Sequence, residues 1–227
     1  MPKLYVIATP IGNLKDITLR AIEILKSVDI VLAEDTRVTR KLLTHFEISK
    51  PIMRFDEHVE HRMFNKAVEL LRAGKNLALV TDAGTPGISD PGYRLISHLE
   101  AQLPSLEERK FSIVPVPGPS SLSAIISVSD INLSEFLFLG FPPHKKGRQT
   151  LFKRVAASEI PVILFESPHR ILKTLKEILA ISGDKYLNIG RELTKIYEEI
   201  FRGTISEAIL KYEKEGTRGE FVLVLKP

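Results

Sequence analysis

The stretch Thr81–Gly92 (TDAGTPGISDPG) gathers two carboxylates, Asp82 and Asp90, and two hydroxyls, Thr85 and Ser89. It holds three of the chain's thirteen glycines and two of its fourteen prolines, with Ile88 its single large apolar residue. Glycines let a main chain approach a ligand closely, and prolines hold a loop's shape. A plain connection between a strand and a helix needs only about 2–6 residues, so this longer one reads as a ligand loop. It follows an apolar run, Asn76–Val80, and precedes apolar residues at helical spacing over Tyr93–Leu99. In open α/β sheets ligands bind outside the carboxyl ends of the strands, where such loops gather.

Other polar clusters also sit just after apolar runs: Thr9–Asn13, Glu34–Arg37, Asp56–His58, Glu166–Arg170 and Arg191–Glu199. In a parallel sheet those ends share one edge, so distant residues can converge on one cleft. Glu34-Asp35 with Arg37 and Arg40 is either a carboxylate poised beside cations or a helix cap with its ion pairs. Arg191-Glu192 with Lys195, Glu198 and Glu199 is either a reactive group or a solvated charged face. The loop Gly140–Arg148 (GFPPHKKGR) carries Lys145, Lys146 and Arg148. It reads either as a phosphate contact or as ordinary exposed cations. His58 and His61 are spaced to touch a metal, but lack further ligands at matching spacing, so an exposed helix start is expected and no metal. There is no Gly-Lys-Ser/Thr phosphate loop, no GxGxxG after the first strand and no Gly-x-Ser-x-Gly elbow.

The elements that must position these groups follow from the apolar pattern. Strands are expected at 3–8, 30–33, 52–55, 76–80, 111–114, 136–139, 162–165, 187–190 and 220–225. Between them fall helices with stripes such as Leu19-Ile22-Leu25-Val28, Met63-Ala67-Leu70-Leu71 and Ile171-Leu175-Ile178. Gln102–Lys110 reads as a solvated polar stretch, and Arg191–Ile200 has no clear element. Strand and helix alternate, which predicts an α/β fold with mostly parallel or mixed sheets and helices on both faces. Pro115-Val116-Pro117-Gly118-Pro119 reads as a stiff connector. It divides residues 1–116, which carry the glycine-rich loop, from 117–227, which complete the cleft.

The 227 residues can bury a good core, and 44% apolar with 26% charged residues is ordinary for a water-soluble globular chain. No apolar run approaches the ~18 residues a membrane span needs, and the first ten residues read as a strand and not as a signal peptide. With no cysteine there is no disulfide, thiolate nucleophile or cysteine-bound zinc, and a cytoplasmic location is expected. A net charge of +4 permits a nucleic-acid partner without requiring one.

Seven segments stand in order: TPIGNLKDIT (9–18), AEDTR (33–37), TDAGTPGISDPG (81–92), PVPGPSS (115–121), FLGFPP (138–143), ESPHR (166–170) and RELTKIYEE (191–199). Together they resemble the tetrapyrrole methylase superfamily and, within it, the ribosomal RNA small subunit methyltransferase I group. The resemblance implies S-adenosylmethionine held between two α/β domains, a homodimer, and 2′-O-ribose methylation of a cytidine of 16S rRNA in the small ribosomal subunit. It implies cofactor contacts at Pro10, Asp82, Gly84, Thr85, Pro86, Ser120 and Ser121, with Phe165 from the second half. Asp35 and Glu192 become candidate bases, Lys195 a partner in catalysis, and Arg37, Lys145, Lys146 and Arg148 candidate RNA contacts. A small-molecule methyltransferase acting on a tetrapyrrole and a non-catalytic nucleotide- or RNA-binding protein are the other readings. Members of that group commonly continue for several dozen residues past the position of Pro227, so grip on RNA is expected here from the core or a dimer.

Overall fold

The computed structural model describes residues 1–55, 60–90, 92–102 and 111–227. The expectations for Asp56–His58, the His58–His61 pair and most of the 102–110 stretch lie outside the described residues. The chain forms two compact units, Met1–Ser120 and Ser121–Pro227.

The first unit is a five-stranded parallel sheet built from β1 (Lys3–Ile7), β2 (Ile30–Ala33), β3 (Ile52–Arg54), β4 (Leu77–Val80) and β5 (Ser112–Val116), in the order β3-β2-β4-β1-β5. A strand covered on both faces must be apolar on both, and all four residues of β4 are buried. Their side chains alternate between two cores. Ala78 and Val80 join Ile7, Val31, Ala21, Leu25, Leu42 and Leu43, beneath α1 (Leu19–Ser27) and α2 (Thr36–His45). Leu77 and Leu79 join Leu4, Leu32, Ala67, Leu71, Leu95 and Leu99, beneath α3 (Glu60–Arg72) and α4 (Gly92–Ala101).

This layering decides where a ligand can sit. The helices that follow β1 and β2 lie on one face of the sheet, and the helix that follows β4, the strand between them, lies on the other. The chain therefore parts at the carboxyl end of β4, the topological switch point at which open α/β sheets bind ligands. The loop leaving that end begins at Thr81.

The second unit has a mixed sheet of β6 (Leu137–Phe138), β7 (Val162–Glu166), β8 (Tyr186–Arg191), β9 (Glu199–Thr204) and β10 (Phe221–Leu225), ordered β6-β7-β10-β8-β9. Only β6 and β7 are parallel; the other pairings are antiparallel. One face packs on α6 (Arg148–Ala156), α7 (Ile171–Ser182) and α8 (Ile205–Glu215), through Phe152, Leu175, Ile178, Ala208 and Tyr212. On β8, Gly190 leaves room for α5 (Ser121–Val128), since a Cβ there would lie 2.9 Å from Ile125 Cδ1.

Three sequence expectations change. Pro115 and Val116 belong to β5, where they pair with Val6 and Ile7, so the connector starts only at Pro117. A proline is tolerated there because β5 is an edge strand with no ladder bond required on its outer side. β9 has no counterpart among the expected strands, because its polar residues Glu199, Arg202 and Thr204 mask the alternation. Arg148 does not belong to the exposed basic loop. It opens α6 and is only 4% exposed.

Arg148 is instead part of a buried charge cluster. Its Nε donates to Glu177 (2.6 Å) and its Nη2 to the Thr174 hydroxyl (2.7 Å). Thr174 in turn donates to Glu166, whose side chain is fully buried and ion-paired with Arg170 at 2.7 Å. Arg148 and Arg170 also donate to the carbonyls of Pro143 and Pro142, pinning the turn that carries Lys145 and Lys146. Removing one partner from a buried pair strands the other charge at a cost of about 3–5 kcal/mol. Glu166→Gln is therefore expected to lose about 3 kcal/mol in urea denaturation, whereas Glu213→Gln, which removes an exposed ion pair with Lys176, changes stability by less than about 1 kcal/mol.

Candidate active site

The loop after β4 is sewn to the loops after β1, β2 and β5. Thr9 and Gly84 exchange main-chain hydrogen bonds, Thr9 N to Gly84 O at 2.9 Å and Gly84 N to Thr9 O at 3.0 Å. Gly84 adopts φ +84°, a left-handed conformation that side chains resist, and a Cβ on it would sit 3.3 Å from Ile11 Cγ2. The Thr9 hydroxyl donates to Thr81 O (3.2 Å), and the Thr85 hydroxyl donates to Pro119 O (3.1 Å). Gly118 lies so close to Ala8 that a Cβ there would be 3.0 Å from the alanine's own. Further along, Asp90 accepts from the Gly87 and Gly92 amides, both at 2.6 Å. Burial pushes the Asp90 carboxyl above its usual range, against those same amide bonds.

Of the cofactor residues expected from sequence, Pro10, Asp82, Gly84, Thr85, Pro86 and Ser120 all lie on these loops of the first unit. Pro10, Gly84, Pro86 and Ser120 are buried and shape the loops. Asp82 is exposed, and among the described residues its one hydrogen bond is from the Asp35 amide to Oδ1 at 3.0 Å. Its other oxygen can therefore accept from a ligand hydroxyl or ammonium. Ser121 and Phe165 belong to the second unit. Phe165 stacks edge-on against Phe138 and Phe141, and its amide donates to Gly140 O.

Asp35 is the N-cap of α2 and accepts from the Arg37 amide at 2.8 Å. The Arg37 side chain grips both its oxygens, at 2.6 Å from Nη2 to Oδ2. These bonds, the side-chain one first, lower the Asp35 pKa to about 2. The sequence left open whether this cluster is a poised carboxylate or a cap with its ion pair. It is a cap and an ion pair, and it also touches the loop after β4 through Asp82.

Glu192 accepts from Lys195 Nζ (2.8 Å) and from the Glu220 amide (2.9 Å). Burial raises its pKa, but these bonds outweigh burial and leave it lowered. Lys195 shows the mirror image: burial favours the neutral amine, but Glu192 and Glu220 outweigh it and raise the pKa. The turn holding them is strained, with Glu192 at φ +50° and Thr194 at φ +68°. Its tip presents Ile196, 94% exposed, and Tyr197, a pair that sequence reading passed over. Lys145 and Lys146 are exposed. Arg148, engaged in the cluster described above and 4% exposed, is not presented at the surface to a phosphate. Thr9 stood in one of the polar clusters read from sequence but was not singled out as a site residue; a hydroxyl after a strand gives no sign of which main chain it will meet. Among the described residues no three acidic or histidine side chains group as metal ligands would.

The family model for tetrapyrrole (corrin/porphyrin) methylases matches residues 3–209. The ribosomal RNA small subunit methyltransferase I of Thermotoga maritima is 44% identical over 225 residues, covering 99% of this chain and 98% of that protein. The protein of the same name from Bacillus subtilis is 41% identical, covering 98% of this chain and 74% of its own. Among solved structures, a diphthine synthase superposes with a TM-score of 0.73 at 13% identity, covering 100% of this chain and 90% of that one. A cobalt precorrin-4 methyltransferase gives a TM-score of 0.66 at 21% identity, covering 99% and 94%. At such identities these two show a shared fold.

Because its folded pKa is lowered, Asp35 contributes stability that is present above the ordinary value of 3.8 and lost as pH falls through about 2. A carboxyl NMR titration is expected to place its midpoint near 2, and Arg37→Gln, which removes the largest cause, should bring it back toward 3.8.

Proposed function

The chain belongs to the tetrapyrrole (corrin/porphyrin) methylase family and is a methyltransferase; from that premise we propose that it methylates the ribose 2′-hydroxyl of a cytidine in 16S rRNA of the small ribosomal subunit. The observation that carries the methyl-donor site is the Thr9–Gly84 lock at the switch point, with the Asp82 carboxylate exposed beside it. The names of relatives about 40% identical over nearly the whole chain support an rRNA substrate.

The residues fit S-adenosylmethionine. Asp82 offers an acceptor for its hydroxyl or ammonium groups, and the glycine-rich main chain of 84–87 allows close approach. Asp82, Gly84, Thr85, Pro86, Pro10 and Ser120 are the proposed contacts, with Ser121 and Phe165 added by family resemblance. The bound cofactor supplies an electrophilic methyl group on a sulfonium. Because the loops are tied to one another before any ligand arrives, little ordering remains to oppose binding. Most of the catalysis expected of this chain is positioning, holding the acceptor hydroxyl at near-contact distance and in line.

Asp35 is the proposed acceptor for the hydroxyl proton, because its own amide is bonded to the donor loop. Its low pKa makes it a weak base, so its help is directional before it is basic. Glu192 and Lys195 hold the turn between β8 and β9, and their mutual ion pair keeps both charged. Lys145, Lys146 and Arg37 are the proposed phosphate contacts. A homodimer and a cytoplasmic location complete the reading. Among the described residues no helix is long and apolar enough to cross a membrane.

Labelled-methyl transfer to small ribosomal subunits, with 2′-O-methylcytidine identified after nuclease digestion, tests the substrate; transfer to a porphyrin precursor instead would establish the small-molecule reading. Gly84→Val is expected to abolish cofactor binding in calorimetry, and unchanged binding would remove this loop from the site. Asp35→Asn keeps a competent cap, so it should retain cofactor affinity while turnover falls at least ~10-fold. Full turnover in both Asp35→Asn and Glu192→Gln would show that neither carboxylate takes the proton.

A further inference from the structure

We propose that the outward face of α2 is a phosphate-binding track that leads the RNA backbone to the methyl-donor loop; this rests on the rRNA reading above. Arg37, Arg40, Lys41, Thr44 and His45 recur at the spacing that places residues on one side of a helix. The opposite side, Thr39, Leu42 and Leu43, is buried against the sheet. The exposed side chains, together with Thr36, line an open groove of about 700 Å³. A second concavity continues it past Arg40 and Thr44 to Lys50, with Glu47 on its rim.

Arg148, Arg170 and Lys195 are held in ion pairs within the chain, whereas two of the three cations on this face are not. Arg37 is held by Asp35, yet remains 86% exposed. Arg40 and Lys41 have no hydrogen-bond or ion-pair partner among the described residues, and both are exposed. A helix rises 1.5 Å per residue, so Arg40 and Lys41 stand about 4.5 and about 6 Å beyond Arg37 along the axis. Threonine hydroxyls at both ends add neutral donors suited to phosphate oxygens. Val38 is the only large apolar residue of α2 that is exposed, at 39%. Such a surface has charge for a polyanion and little apolar anchor for a protein partner.

The groove also has a fixed relation to the chemistry. It begins at the capped end of α2, where the Asp35 amide is bonded to Asp82 of the donor loop. A backbone lying along Arg37, Arg40 and Lys41 would approach that loop within two helical turns. Sequence reading singled out Arg37 alone on this helix as a substrate contact; the structure extends the contact to Arg40 and Lys41.

The test is the double variant Arg40→Gln/Lys41→Gln in the full chain, with Lys26→Gln/Lys214→Gln as a control of equal charge at exposed sites elsewhere. Glutamine is a good helix former, so α2 should persist, and unfolding temperature and S-adenosylmethionine affinity check that it does. Binding of a single-stranded RNA oligonucleotide is followed from low to moderate salt, beside methyl transfer to small ribosomal subunits. The α2 variant is expected to bind roughly tenfold more weakly, with a log–log salt slope shallower by about 1.4, as two lost phosphate contacts imply. Its KM for subunits should rise, while the control matches the wild type. Equal affinity and slope in the α2 variant, or an equal loss in the control, would overturn the track while leaving the rRNA reading intact. Wild-type protein that neither binds RNA nor methylates subunits would overturn both.

Discussion

Two main-chain hydrogen bonds between Thr9 and Gly84 hold together what the rest of this molecule uses. They join the residues just beyond two neighbouring parallel strands, where the sheet can no longer satisfy main-chain donors and acceptors. Gly84 can accept them because it lacks the Cβ that would disfavour its left-handed conformation and press on Ile11. Thr85 on Pro119 and Gly118 against Ala8 then fasten the third loop to the same point. Glycine, proline and threonine in this region are thus choices of contact distance as much as of turn type. The outcome is a loop shaped in advance, with one acidic side chain left facing outward.

The second unit solves a different problem by similar means. Its basic turn at Lys145 and Lys146 must stay presented to solvent although its prolines offer no amide to anchor it. Two arginines reach the carbonyls instead, and both are ion-paired with the buried Glu166. Burying such a cluster is costly unless every member is bonded. Thr174 and the Ser167 amide complete the bonding around the Glu166 carboxylate. Glu166, Ser167 and Arg170 of the ESPHR motif are here occupied in fixing the shape of a turn.

The acidic residues divide the same way. Asp35 and Glu192 stand beside cations and are held below their ordinary pKa, which suits structural pairing and steering more than strong base catalysis. That fits a reaction in which alignment supplies most of the acceleration. It also leaves Arg40 and Lys41 of α2, exposed and unpaired among the described residues, as charge open to a ligand.

Much was legible in one dimension because its cause is local. The run Leu77–Val80 is apolar throughout and reads as a strand, and the glycines and prolines after it mark a long loop, as found. A helix cap was one of the two readings open for the Glu34-Asp35 cluster, and seven ordered motifs pointed to the family. Three-dimensional packing alone decided the rest. It set the strand order β3-β2-β4-β1-β5, and with it the switch point, because pairing between strands depends on contacts remote in sequence. It drew Arg148 out of a basic loop and into a buried cluster, because Glu166 and Glu177 lie 18 and 29 residues away along the chain and only folding brings them near. Composition and spacing, then, established which groups were present and where a long glycine-rich loop lay; the sheet's topology decided which of them stay exposed and which are consumed holding the loops, since a side chain's role depends on the neighbours that folding gives it.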